Sequence, residues 1–181
     1  AFVAEHNVCS INSINWVRIC VQSSYYVWAY LQIAGKGDGG GGRLINFAVP
    51  SGAFGNAMGG FLARKMGLPI NRFVCATNAN DIVHRVLSMG DMSMGVNVPT
   101  ASPAMDIQFA YNLERMLYYC CNENPAILRP IMEQAELQFR GASAGVQLDA
   151  LIVARMHEVF SSCSISDVET LETMREVHTE H

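Results

Sequence analysis

Between Leu44 and Ser88 two short apolar runs alternate with two helical patterns, and that order constrains the fold more than anything else in the chain. Leu44 to Val49 reads as a buried strand and Pro50-Ser51-Gly52-Ala53-Phe54-Gly55 as a turn. Asn56 to Met66 reads as a helix, stopped by Gly67 with Pro69 beyond. Arg72 to Thr77 is a second apolar strand, and Asn78-Ala79-Asn80-Asp81 offers capping chemistry for a helix from about Ala79 to Ser88. A strand that returns to its sheet through a helix makes a crossover, so the two strands are expected to be parallel neighbours. The expectation is an α/β fold built on a parallel βαβ unit.

The flanking segments add helices. Ile14 to Ala34 is the longest apolar stretch, but Arg18, Gln22, Ser23, Ser24 and Gln32 would each be costly in lipid. Apolar residues occupy nearly every face, so it reads as a helix buried in a core or a subunit interface and not as a membrane span. The loop Gly35-Lys36-Gly37-Asp38-Gly39-Gly40 matches G-x-G-x-x-G, yet a helix precedes it and more glycine follows, so it is no dinucleotide fingerprint. Gly90 to Ala104 reads as loop. Beyond it the pattern is helical: Asp106 to Cys121, Pro125 to Phe139, Gln147 to Phe160, and Ile165 to the end, with capping-box spacing at Ser166-x-x-Glu169. The expected division is an α/β portion over residues 1–121 and a helical extension over 122–181.

Composition removes several function classes. Half of the 181 residues are apolar and 15% are charged, which suits a folded core. Net charge is −4 with no basic face, which argues against a nucleic-acid or anionic-membrane partner. Six cysteines without C-x-x-C spacing read as reduced thiols in a cytosol-like compartment, and adjacent Cys120 and Cys121 read as packing before redox chemistry. Of twelve basic residues ten are Arg, leaving only Lys36 and Lys65.

The best local candidate for chemistry is the turn at 50–55. Small residues let backbone N–H groups approach an anion where a helix begins, and the helix N-terminus adds partial positive charge. No lysine comes directly after Gly55 as a Walker loop requires, so a monophosphate fits better than a nucleoside triphosphate; the alternative is an unoccupied strand-to-helix turn. Other candidates are weaker. Ser51 lacks the glycines of a nucleophile elbow. His178 and His181 have metal-ligand spacing but no third ligand, so no metal is expected. His84 and Arg85 suit an anion or a capped surface helix equally, and Asp106, Glu114 and Arg115 read as helix-start and surface charges.

Around this turn the sequence resembles threonine synthase. Val49-Pro50-Ser51-Gly52-Ala53-Phe54-Gly55-Asn56, Ala63-Arg64-Lys65-Met66-Gly67-Leu68-Pro69 and Ala76-Thr77-Asn78-Ala79-Asn80-Asp81 are similar to that family's V-P-S-G-N-F-G-D, A-K-K-M-G-L-P and A-T-N-x-N-D. Asn12 to Arg18, and Ser102 to Gln108 followed by Asn112 and Glu114-Arg115, agree as well. The blocks run in order over residues 5 to 120; the remainder fits by position only.

The resemblance implies a three-layer fold type II enzyme using pyridoxal 5′-phosphate (PLP). It would convert O-phospho-L-homoserine and water to L-threonine and phosphate. It also implies that Gly52, Ala53, Phe54 and Gly55 contact the cofactor phosphate through backbone, with Asn56 at the helix start. Ala53 stands where the family has Asn and Asn56 where it has Asp; backbone donation survives both changes. The family's Schiff-base lysine lies in a Phe-Lys-Asp context that neither Lys36 nor Lys65 matches, so it is expected upstream. A chain opening on Ala1 and lacking that lysine is expected to be a piece, incomplete at both ends, of a cytoplasmic or plastid protein that could form homo-oligomers.

Asn15 and Arg18, a polar pair one turn apart on an apolar segment, are candidate contacts to a small phosphorylated amino-acid substrate. A structural Arg held by carbonyls is the alternative. Two other functions stay open: a related phospho-lyase releasing a 2-oxo acid and phosphate, and a truncated, non-catalytic interaction module.

Overall fold

The computed structural model of the chain describes Glu5 and residues 12–34, 42–141 and 145–180. In chain order its elements are α1 (Trp16–Ala34), β1 (Ile45–Pro50), α2 (Gly55–Lys65), β2 (Ile70–Thr77) and α3 (Ile82–Met89). A short 3₁₀ turn (Pro103–Met105) is followed by α4 (Leu113–Cys120), α5 (Pro125–Phe139), α6 (Ala150–His157), β3 (Phe160–Ser164) and α7 (Asp167–Glu180). The three strands form one sheet in the order β1-β2-β3, and both pairings are parallel. The βαβ unit expected between Leu44 and Thr77 is therefore present, with α2 as its crossover.

Register explains the core. Phe47 lies opposite Phe73, and Phe73 opposite Phe160, so three rings run across one face of the sheet. Their centroids are 6.3 Å and 5.4 Å apart. Tyr26 of α1 meets Phe47 and Phe73 edge-on at 4.9 Å and 5.7 Å, and Phe61 of α2 lies 5.8 Å from Phe160. Gly60 makes this approach possible: a Cβ there would stand 2.5 Å from the Phe73 ring and 2.6 Å from that of Tyr26. Burying each such ring is worth roughly 1.5–3 kcal/mol. The opposite sheet face, bearing Asn46, Ala48, Pro50 and Val74, is exposed in this chain.

Two expectations change and a third narrows. The segment Phe160-Ser161-Ser162-Cys163-Ser164, read as a helix end and a link, is a strand, so residues 122–181 are not purely helical. Pairing along β2 decides this, since three serines give no apolar alternation. The helix expected from Asp106 begins only at Leu113, because Asp106 ends the 3₁₀ turn instead. Finally, within this chain α1 buries one face against the core, and its other faces are left to the interface alternative. Ile19, Ser23, Tyr26 and Tyr30, spaced four, three and four residues apart, turn inward, while Trp16, Val17, Val21, Tyr25, Trp28 and Leu31 are exposed. Among the described residues no helix is long and apolar enough to cross a membrane. The capping box at α7 is present: Ser166 and Glu169 exchange side-chain bonds with each other's N–H groups at 2.8 and 3.2 Å.

Candidate functional site

Strand β1 ends at Pro50 and delivers the chain to α2 through a turn whose parts are each anchored. Ser51 is buried; its N–H donates to the Ala76 carbonyl at 2.7 Å and its hydroxyl to the Val49 carbonyl at 2.9 Å, so it serves the strand end and not nucleophilic chemistry. Phe54 is the N-cap of α2 with φ 64° and ψ 9°, a left-handed backbone at a non-glycine residue. Its ring is 1% exposed and packs 5.4 Å from Phe160, which holds the residue in that conformation. The first α2 bond runs from the Met58 N–H to the Phe54 carbonyl. The N–H groups of Gly55, Asn56 and Ala57 thus precede the helical ladder, and among the described residues no acceptor meets them.

These donors face a cavity of about 380 Å³ that the turn shares with Ser13, Arg18, Gln22, Met105, Ile107 and Tyr111. The glycines are needed for its shape. A Cβ on Gly52 would lie 3.2 Å from the Met105 Cα, and one on Gly55 would lie 2.8 Å from the Ser13 Cβ. The Gln22 carboxamide oxygen lining the cavity is buried without a partner. Asn56 sits at the helix start as expected, and its side-chain oxygen accepts from the Tyr26 hydroxyl at 2.6 Å. A cradle of small residues, orphan N–H groups and one guanidinium suits a compact anion. A larger groove of about 590 Å³ between α4 and α5 carries Glu114, Glu133 and Glu136 against a single cation, Arg129, a poorer setting for an anion.

The other candidates are distributed as follows. Arg18 lines the cavity, but Asn15 does not: it precedes α1, and its carboxamide oxygen accepts from the Val17 N–H at 3.0 Å, which caps the helix. His84 bonds Ser162 through Nδ1, and Arg85 bridges Asp81 and Asp91 at 2.9 and 2.7 Å, so both are structural. Arg115 donates to the carbonyls of Ser13 and Ile14. Glu114 lies on the groove between α4 and α5. Lys65 reaches Glu123 at 3.6 Å over the Tyr119 ring, at the surface. Lys36 and His181 lie outside the described residues, and among the described residues no cluster of metal-ligating side chains occurs. Cys120 and Cys121 are both buried in the core, and burial pushes the Cys120 thiol up to about 12, the neighbouring Cys121 adding to it.

No protein-family model matches the chain. It is 39% identical to threonine synthase-like 2 of Homo sapiens over 175 residues, 96% of this chain and 35% of that protein. It is 36% identical to threonine synthase of Saccharomyces cerevisiae over 182 residues, 98% of this chain and 35% of the relative. The crystal structure of yeast threonine synthase matches with a TM-score of 0.83 at 35% identity, covering 98% of this chain and 36% of that one. This chain is a homologue of threonine synthase. A PLP-bound threonine synthase from Brucella melitensis matches as well, with a TM-score of 0.79 at 34% identity over 91% of this chain and 33% of that one. The chain spans about a third of the length of these relatives.

The threonine synthase blocks converge in space. The turn block supplies the donors, and the Asn12–Arg18 and Ser102–Gln108 blocks each supply part of the cavity wall. The Ala76–Asp81 block lies behind that wall. Asn78 and Asn80, both buried, donate to one oxygen of Asp106 at 2.7 and 3.0 Å, and the Thr100 hydroxyl donates to the same oxygen at 2.6 Å. These bonds, Thr100 first, hold the Asp106 carboxyl below the usual carboxylate range and fix the loop beside Gly52. Ser13, Met105 and Ile107 lie within the agreeing blocks, whose convergence only the fold reveals; Gln22 and Tyr111 lie outside those blocks, and nothing in the sequence marks them for the site.

Proposed function

We propose that this chain is the cofactor-phosphate segment of a PLP-dependent, threonine synthase-like lyase. The observation carrying the reading is the run of unpartnered N–H groups at Gly55, Asn56 and Ala57 opening onto a glycine-shaped cavity that also holds Arg18. Gly52, Ala53, Phe54, Gly55 and Asn56 hold the phosphate of PLP, mainly through backbone, and the α2 N-terminus adds partial positive charge. Bound there, PLP supplies an electron sink for bond changes in an amino-acid substrate. Arg18 contributes full charge at the same cavity and contacts the phosphorylated substrate or the cofactor phosphate. Asn15 holds the start of α1, the helix that carries Arg18.

In this reading the full-length protein converts O-phospho-L-homoserine and water to L-threonine and phosphate. Proton transfer at the substrate belongs to the lysine expected in a Phe-Lys-Asp context, which neither Lys36 nor Lys65 matches, and Lys65 is turned to the surface against Glu123. A second reading stands beside it, a related phospho-lyase in which phosphate elimination releases a 2-oxo acid, because the chain is also 39% identical to a protein named threonine synthase-like 2, a name that leaves the product open.

The test is to incubate the full-length protein with PLP and O-phosphohomoserine, then quantify phosphate, threonine and 2-oxobutanoate. Equimolar phosphate and threonine are expected. Equimolar phosphate and 2-oxobutanoate would select the second reading, and no phosphate release would overturn both. Arg18→Met should raise KM for the phosphorylated substrate about tenfold or more, as loss of a charge-assisted bond does; unchanged kinetics would remove Arg18 from the site.

A further inference from the structure

Asn112 occupies the N-cap position of α4, where an Asn side chain normally accepts from an N–H of its own helix. Here it makes no cap bond. The side chain is fully buried, and its Nδ2 donates to the Ala53 carbonyl at 2.9 Å and to the Ser13 hydroxyl at 3.1 Å. Its Oδ1 accepts from Arg115, whose guanidinium also holds the Ser13 and Ile14 carbonyls at 2.8 and 2.6 Å. Tyr111 meets the Ser13 hydroxyl at 3.0 Å. The side chain of a helix cap therefore leaves the N–H groups of its own helix unserved and, with Arg115, ties the glycine turn to the segment before α1.

We infer that Asn112 is a positioning residue for the phosphate-binding turn. This rests on the reading that the turn holds a phosphate. The peptide whose carbonyl Asn112 grips is the one that ends in the Phe54 N–H, and Phe54 is the left-handed residue from which α2 starts. The Phe160 contact fixes the turn on its apolar side, and the Asn112 bond fixes it on its polar side. With both in place the peptide plane between Ala53 and Phe54 cannot rotate, and the donors of Gly55, Asn56 and Ala57 stay aimed into the cavity. Asn112 also sets the width of the cradle, since its Nδ2 would be 3.3 Å from a Cβ at position 55. It acts through backbone and touches no ligand itself.

The experiment compares wild-type full-length protein with Asn112→Ala for binding of PLP and of pyridoxal, which lacks the phosphate. The phosphorus NMR shift of bound PLP and the thermal midpoint are recorded alongside. The expected result is a folded variant whose Kd for PLP rises about tenfold, the loss of one buried hydrogen bond to a carbonyl. Its Kd for pyridoxal stays unchanged, its phosphorus resonance moves, and kcat at saturating PLP is retained. A folded Asn112→Ala with wild-type PLP affinity and an unmoved resonance would overturn the inference, as would equal weakening of PLP and pyridoxal. If Asn112→Ala does not fold, Ser13→Ala, which removes the second acceptor of Nδ2, decides by the same readouts with an effect of about threefold; no effect there also overturns it. Failure of the wild-type protein to bind PLP would overturn the functional reading and this inference together, whereas an unaffected Asn112→Ala overturns this inference alone.

Discussion

Substituting Phe54 by Ala and, separately, by Gly probes the turn through two properties that act oppositely. Both changes delete a ring that is 1% exposed and packed 5.4 Å from Phe160. Each loses about 3–5 kcal/mol on that account. Backbone strain then separates them. At φ 64° an L-residue carries about 1–2 kcal/mol of left-handed cost. Alanine keeps that cost and glycine sheds it, so Phe54→Gly should be the more stable variant by about 1 kcal/mol. At an ordinary helical position such as the exposed Glu172 of α7 the order reverses, with Ala ahead of Gly by about 1 kcal/mol. Urea unfolding of the four variants, with common slopes, reads both differences. If Phe54→Ala equals or exceeds Phe54→Gly, the left-handed turn is absent, and the orientation of the α2 donors has no basis.

Three further outcomes follow from the packing and the titratable groups. Gly60→Ala gains about 1 kcal/mol of helix propensity. It also drives a methyl against two rings that pack on each other, at an overpacking cost of about 1–3 kcal/mol. Net destabilisation is expected in chemical unfolding, and a stabilised variant would contradict the α1–α2–sheet contact. Burial pushes Cys75 and Cys120 up to about 12, while Cys20 is exposed. A thiol reagent at pH 8 should therefore modify Cys20 in the native protein and the other two only on unfolding; rapid native labelling of Cys120 would refute its packing role. Asp106 has a depressed folded pKa, so its contribution to stability is present above the usual carboxylate pKa of about 4 and is lost as pH falls through its own lower value. Carboxyl-carbon NMR should give its midpoint below the usual range, and a midpoint at or above about 4 would show that the Thr100, Asn78 and Asn80 bonds are not made.

The sequence carried the βαβ unit and the turn clearly because each is local. An apolar run, Gly52 and Gly55, and a helix stopped at Gly67 follow one another within about two dozen residues. What it hid depends on distant partners. Strand β3 has one aromatic residue and three serines, and it is a strand because β2 offers a free edge on which Phe160 stacks against Phe73. The burial pattern of α1 was blurred by apolar residues on every side, although Ile19, Ser23, Tyr26 and Tyr30 are the ones that meet the core. Asp106 reads as a helix-start charge, and Asn112 falls inside the helix expected from Asp106 to Cys121. Nothing in their neighbours indicated that their side chains serve the glycine turn and its adjoining loop.

Whether the donors at the start of α2 hold a phosphate is read directly by an amide NMR titration of the protein with PLP, repeated with pyridoxal and with inorganic phosphate. Saturable shifts are expected at Gly55, Asn56 and Ala57 with PLP, and at the same amides, more weakly, with inorganic phosphate. Pyridoxal should leave them unmoved. Unshifted amides at these three positions with PLP present in excess would show that the start of α2 holds no phosphate.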